Sequence, residues 1–249
     1  MSLLANILTG AKPGPRRMTV YGTAGVGKST FATCAPAPIV VQTEDGLNEI
    51  DCHKFPVAQS FDEILQALGS LYQEEHSYRT VVIDSLDWLE RLIWAKVCQT
   101  RQVASIEDIG YGKGYAFALQ HWREVLDGLT ALRDRKGMTV ILIAHARIER
   151  FENPETEAYD RYVPRLHKTA AAMVAEWSDE VLFATYKVFT KATEEGFNQK
   201  RVQGLGTGER VLRTTERPSH LAKNRLGLPD ELPLAWSEFA KHLPTPVTH

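Results

Sequence analysis

A chain of 249 residues, 43% hydrophobic and 24% charged, is long enough to bury a full core and has the composition of an ordinary soluble globular protein. Its formal net charge of −2 excludes global basicity as a route to nucleic acid, so any such contact must come from local patches. Cys34, Cys52 and Cys98 are scattered without CxxC spacing, which argues against a zinc site or a disulfide framework and for free thiols in a reducing compartment. The N-terminus lacks the charged lead and long apolar stretch of a signal peptide. No run reaches the ~18 apolar residues of a membrane span, so a cytoplasmic location without membrane contact is expected.

Residues 1–17 read as a lead-in ending in the breaker-rich KPGPRR. A short apolar run at 18–21 is expected to be a strand, followed by a glycine-rich loop and a short helix that must stop by Pro36. Residues 38–43 are β-branched and strand-like, and 55–57 suggest a short edge strand. Ser60 followed by Glu63 marks a helix N-terminus, with Ile64, Leu65, Leu68 and Leu71 at helical spacing. Residues 80–84 form an apolar run of the fully buried, parallel-sheet kind. A helix over 86–100, a flexible glycine-rich loop over 101–114 and a long amphipathic helix to about Arg135 follow, the last closed by Gly137. Residues 139–144 are another buried strand. The mixed-charge segment 147–168 is long for a loop in a compact domain, which favours a functional or partly mobile segment. A helix over 169–177 leads to a strand over 180–186. Short strands and turns, notably at Gly204–Gly208, then reach Lys223. A proline-rich end with a short helix near Trp236 closes the chain. Alternating strands and helices with an antiparallel-looking end indicate one α/β domain over 18–235, with a mainly parallel sheet flanked by helices, and a short helix and tail over 236–249.

The loop after the first strand, Gly22-Thr23-Ala24-Gly25-Val26-Gly27-Lys28-Ser29-Thr30, fits GxxxxGK[ST], the phosphate-binding P-loop. Its glycines let successive backbone N–H groups converge on phosphate oxygens. Lys28 is expected to reach the β/γ-phosphates and the Ser29 hydroxyl to take Mg²⁺. A helix starting near Lys28 would add its positive end to the same anion site. Active residues of open α/β sheets gather at the carboxyl ends of strands, which selects Glu44, Asp84 and His145 beside the P-loop. Asp84 ends a buried run about 55 residues after Lys28, the place of a Walker B aspartate that holds Mg²⁺ through water. The next residue is Ser85, so a general base cannot follow Asp84 directly. Glu44 is the best base to orient a water, with Asp87 and Glu90 as weaker alternatives inside the following helix. His145 is placed to hydrogen-bond the γ-phosphate and report nucleotide state.

Together these residues resemble the RecA-like ATPases, the superfamily of RecA recombinases and DnaB-type helicases. The resemblance is narrowest to the compact ATP-binding proteins of phages associated with single-strand annealing, and it covers most of residues 16–235. It implies ATP and Mg²⁺ as cofactors and Glu44 as catalytic residue. His145 stands where the family usually has a glutamine sensor. It also implies that Lys223 and Arg225, the family's K-x-R element, project across a subunit interface onto a neighbour's γ-phosphate, in a ring or filament. The segment 147–168, with Arg147, Arg150, Arg161, Arg165 and Lys168 beside Phe151, Tyr159 and Tyr162, then stands where recombinases have a DNA-binding loop. Aromatics with arginines suit single-stranded bases, although the charge there is balanced. Tyr111 and Lys113 form a second DNA candidate. A small-molecule P-loop kinase and a nucleotide-gated assembly module are the alternatives. No NKxD-type guanine-reading element is present.

Overall fold

The computed structural model describes residues 4, 7, 9, 10, 13–195 and 199–244; the start of the expected lead-in and the end of the expected tail lie outside the described residues. The elements in chain order are β1 (Arg17–Gly22), α1 (Lys28–Thr33), β2 (Pro38–Gln42), β3 (His53–Lys54), α2 (Phe61–Gln73), β4 (Thr80–Asp84) and α3 (Leu86–Arg101). They continue with α4 (Lys113–Lys136), β5 (Thr139–Phe151), β6 (Tyr159–Pro164), α5 (Lys168–Trp177), β7 (Glu180–Glu195), β8 (Gln199–Arg213), β9 (Lys223–Asn224), β10 (Glu231–Pro233) and α6 (Trp236–Ala240). The strand order is β10-β8-β7-β1-β5-β4-β2-β3, with β6 paired to β5 and β9 to β7. Neighbours from β7 to β3 run parallel, whereas β8, β10, β6 and β9 join antiparallel.

Period-two alternation sends side chains of the buried strands to opposite faces, and both faces are covered. Tyr21, Val81, Ile83 and Leu142 pack beneath α2, α3, α4 and α5. Val20, Val82, Ile141 and Ile143 pack beneath α1 and α6. On that second face Phe31 of α1 meets Trp236 and Phe239 of α6, with ring centroids 5.5 and 5.9 Å away. Ser60 caps α2, its hydroxyl accepting from the Glu63 amide while Glu63 accepts from the Gln59 amide, two reciprocal bonds that satisfy helix-end donors. Gly137 closes α4 in the left-handed conformation.

Four expectations need correction. The segment 147–168 is no loop: β5 runs on to Phe151 and pairs with β6 from Ala146↔Pro164 to Phe151↔Tyr159, so a hairpin arm extends past the buried sheet. Residues 187–195 and 199–213 likewise pair as the long antiparallel strands β7 and β8, with Gly204 and Gly206 paired inside β8 rather than forming a turn. The flexible loop expected over 101–114 is shorter, because a 3₁₀ turn at Ile106–Ile109 is closed by a capping box and α4 already begins at Lys113. The edge strand sits at His53–Lys54, two residues before the expected place, and Phe55 still donates to the Val40 carbonyl.

β1 is the central strand, its last residue Gly22 level with His145 of β5 and Ala184 of β7. A Cβ on Gly22 would lie 2.1 Å from the Ala184 carbonyl oxygen, a backbone atom that cannot yield. Gly22→Ala is therefore expected to cost about 1–3 kcal/mol or more through overpacking. Gly46→Ala, where a Cβ meets open space, should leave stability nearly unchanged. Urea midpoints of the two variants check this; equal midpoints would contradict the close approach.

Candidate nucleotide site

The carboxyl ends of β1, β2, β4 and β5 come together at one edge of the sheet. Between them lies a cleft of about 310 Å³ lined by Gly25, Gly27, Lys28, Ser29, Glu44, Asp84 and His145, among others. The P-loop needs its glycines for shape: Gly25 has φ 73° and Gly27 φ 107°, a left-handed backbone that side chains disfavour. α1 is only six residues long, so the anion site rests on loop N–H groups and Lys28 more than on a helix end. Lys28 is buried, and its ammonium donates to the Gly22 and Thr23 carbonyls at 3.2 and 2.9 Å. Burial pulls its pKa down, against the nearby carboxylates of Asp84, Asp87 and Glu44.

The Ser29 hydroxyl donates to Asp84 Oδ2 at 2.6 Å, which joins the P-loop serine to the end of β4. Burial raises the Asp84 pKa, as does neighbouring Glu44, while the Ser29 bond and Lys28 oppose the rise. Two carboxylates thus share a cleft with one lysine whose own charge is disfavoured, and a hydroxyl lies between them. That donor set fits a hard divalent cation with oxygen ligands. Among the described residues no group of three or more His, Cys, Asp or Glu forms a metal site, so a cation here would draw its remaining ligands from phosphate and water.

Thr43 and Ser85, which no local pattern marks as a pair, fix the relation of Glu44 to Asp84. The Thr43 amide donates to the Asp84 carbonyl at 2.8 Å, the Ser85 amide to the Thr43 hydroxyl at 2.7 Å, and that hydroxyl to the Ser85 carbonyl at 2.7 Å. The Ser85 hydroxyl then donates to Glu44 Oε1, fixing the carboxylate at the cleft. The Asp84–Ser85 peptide is cis.

His145 lies between two acids. Its ring Nδ1 is 3.9 Å from Glu44 and 3.1 Å from Asp87, and its amide donates to Asp87 at 3.1 Å. Arg165, at the foot of the β5–β6 hairpin, also binds the Asp87 carboxylate. Burial would raise the Asp87 pKa, but the bonds from His145 and Arg165 win and hold it well below the usual carboxylate range. Asp87 is therefore saturated, which leaves Glu44 as the acid facing the cleft. Asp87, expected as a weaker alternative base inside the following helix, is instead taken up by His145 and Arg165.

The other expected residues fall elsewhere. Arg147 pairs with Glu149, Arg150 with Asp160 at 3.8 Å and Arg161 with Glu216 at 3.5 Å. Arg161 also lies 3.8 Å over the Phe151 ring. Tyr111 is fully exposed, at 102%, and Lys113 and Lys168 are exposed. Tyr115 stacks on His167 at 4.1 Å, so the start of α4 and the start of α5 form one surface. Lys223 corrects the expectation of a projecting cation. Its ammonium donates to the carbonyls of Ala175, Glu176 and Ser178 at 2.8, 2.9 and 2.6 Å, closing the C-terminal end of α5. Arg225 pairs with Asp179 at 3.2 Å and stays half exposed. Both lie level with the start of β1, roughly 15 Å along the strand from this chain's own P-loop.

A glycine-rich phosphate loop between β1 and α1, its serine bonded to the aspartate that ends β4, and a carboxylate just after β2 define a P-loop nucleotide-binding domain. The sequence matches the AAA_24 family, described as an AAA domain, over residues 14–226, and the chain belongs to that family. It is 28% identical over 174 residues to the SPbeta prophage-derived uncharacterized protein YorG of Bacillus subtilis (strain 168), a match covering 67% of this chain and 49% of that protein. The chain thus spans about half the length of that relative. Among solved structures it is similar to the RadB recombinase crystal structure, with TM-score 0.44 and 16% identity over 80% of each chain. No helix among the described residues is long and apolar enough to cross a membrane.

Glu90, one turn after Asp87, is buried against the His167 amide, and burial pushes its pKa up from 4.5 to about 7. Its carboxyl stays neutral in the fold where the unfolded chain ionises. Its contribution is complete below about pH 4.5 and lost as pH rises through about 7, a loss on the order of 3 kcal/mol. Glu90→Gln should remove this slope, so the urea midpoint of the variant falls less between pH 5 and 8 than that of the wild type. Parallel pH profiles would contradict the assignment.

Proposed function

We propose that the protein is a Mg²⁺-dependent ATPase of RecA-like type that acts on single-stranded DNA in phage recombination or annealing. The observation that carries the reading is the Ser29–Asp84 hydrogen bond at 2.6 Å, with Glu44 fixed beside it in the same cleft. Lys28 and the P-loop amides bind the phosphates. Ser29 and Asp84 hold Mg²⁺, which when bound neutralises phosphate charge. Glu44 orients the attacking water and takes its proton at a carboxylate oxygen, the Ser85 hydroxyl holding the other oxygen still. Asp87 cannot share this work, because its charge is already spent on His145 and Arg165.

The chain from Glu44 through His145 and Asp87 to Arg165 supports coupling between nucleotide and DNA. It ends at the hairpin foot, two residues before His167, where the Tyr115 stack joins the two candidate DNA segments. Because Arg147, Arg150 and Arg161 already have acidic partners, DNA contact falls first to Tyr111, Lys113 and Lys168. Arg225 lies too far along the sheet to serve its own site. It reaches a γ-phosphate only in a copy stacked head to tail, which favours a ring or filament. The prophage origin of the relative supports a phage setting, in the host cytoplasm.

Glu44→Gln is expected to lower ATP turnover by about 10²–10³-fold while leaving ATP affinity within about threefold of wild type. Single-stranded oligonucleotide should raise wild-type turnover and fail to rescue the variant. Unchanged turnover in Glu44→Gln would overturn the assignment of the base, and a competent ATPase indifferent to oligonucleotides would overturn the DNA reading.

A further inference from the structure

A second cleft, of about 320 Å³, adjoins the first and shares Gly27 and Thr30 with it. Phe31 of α1, Cys34 just after that helix, Leu234 and Trp236 line it, with the Phe31 and Trp236 rings packed against each other at 5.5 Å. Arg210 of β8 stands at the junction: a Cβ on Gly27 would lie 2.8 Å from its guanidinium nitrogen. Among the described residues this guanidinium has no carboxylate partner, in contrast to Arg213 on the same strand, which pairs with Glu231. An unpaired guanidinium against the P-loop, beside a slot walled by a tryptophan, a phenylalanine and a leucine, is the chemistry of a site for phosphate or ribose oxygen next to a planar base. The walls at Leu234 and Trp236 lie beyond residues 14–226, the part of the chain that the family match covers.

We infer that this second cleft receives the base and ribose of the nucleotide, and that Arg210 binds the nucleotide in cis at the junction, on its α-phosphate and ribose side. The inference rests on the ATPase reading, because that reading fixes the direction of the ligand. Glu44 and His145 lie 3.9 Å apart in the first cleft, and on the ATPase reading the reacting γ-phosphate lies beside Glu44. The α-phosphate then lies towards Thr30, and the nucleoside leaves over Thr30 into the slot that opens at that residue. The volume suits one small aromatic group, at the low end of the ~300–1,000 Å³ of ligand pockets. Arg210 completes the site from within the chain, at the other end of the triphosphate from any cation supplied by a neighbour.

Cys34 is exposed and lines the slot, so it reports occupancy directly. The full wild-type chain is alkylated with iodoacetamide, and each cysteine is followed by mass spectrometry with no ligand, with Mg·ATP, with Mg·ADP and with Mg·tripolyphosphate. Equilibrium dialysis against labelled ATP establishes saturation in each case. ATP and ADP are expected to slow alkylation of Cys34 about fivefold or more, since pockets of this kind bury most of their ligand. Tripolyphosphate, which lacks the base and ribose, should leave Cys34 near its free rate, and Cys52 and Cys98 should not respond. Arg210→Ala should weaken ADP about tenfold, with Arg210→Lys recovering part of the loss and both variants melting like wild type. ATP bound while Cys34 reacts at its free rate would overturn the subsite and leave the ATPase reading standing. Equal protection by tripolyphosphate, or ADP affinity unchanged in Arg210→Ala, would also overturn it. Absence of ATP binding by dialysis would overturn both.

Discussion

The reciprocal hydrogen bonds between Thr43 and Ser85 hold the ends of two neighbouring parallel strands together, and the site is assembled on that hold. Asp84 ends β4 and Glu44 follows β2, and the two strands pair in register up to Gln42↔Asp84. Backbone pairing alone would leave the residues after the strands free to diverge. The Thr43 hydroxyl, donating to one Ser85 group and accepting from another, closes the gap inside the buried edge. A second hydroxyl, that of Ser85, then fixes Glu44, so two small polar side chains set the distance between the Asp84 and Glu44 carboxylates. Buried polar groups of this kind stabilise only when every partner is present, which is why the arrangement is rigid.

Charge is distributed around this edge in an ordered way. Asp84 and Glu44 face the cleft, and Asp84 is left with its proton affinity raised by burial, a state that a divalent cation relieves. Asp87 faces away and is held firmly ionised by His145 and Arg165. His145 touches both groups, so a displacement of Glu44 by ligand reaches the hairpin foot through direct contacts. Two antiparallel arms, β5–β6 and β7–β8, extend from the same side of the sheet as the cleft, while Lys223 and Arg225 sit at the far side. Nucleotide chemistry and the surfaces proposed for DNA thus share one edge, and the cation proposed for a neighbour occupies the opposite one.

How much of this was legible in the chain depended on the range of the interactions. The loop between β1 and α1 was legible because its conformation is written in a local pattern of glycines. The strands at 18–21, 80–84 and 139–144 were legible because burial on both faces leaves unbroken apolar runs. The β5–β6 and β7–β8 arms were missed because their residues are mixed in charge and are held by cross-strand pairing, which no local pattern announces. Lys223 was misread for a similar reason: its three acceptors belong to the end of a helix some 45 residues earlier in the chain. Arg165 looked like a nucleic-acid contact until the fold brought Asp87 against it, 78 residues distant in sequence. Arg210 gave no signal at all, since neither its strand nor the P-loop near it predicts their contact.

On the ATPase reading, the cleft between Lys28 and Glu44 delivers the γ-phosphate of ATP to water. A single-turnover experiment with protein in excess over γ-labelled ATP and Mg²⁺ tests it most directly. All label released should appear as inorganic phosphate, at a rate that single-stranded oligonucleotide increases. Label that stays in ATP, or that passes to an acceptor other than water, would contradict the account.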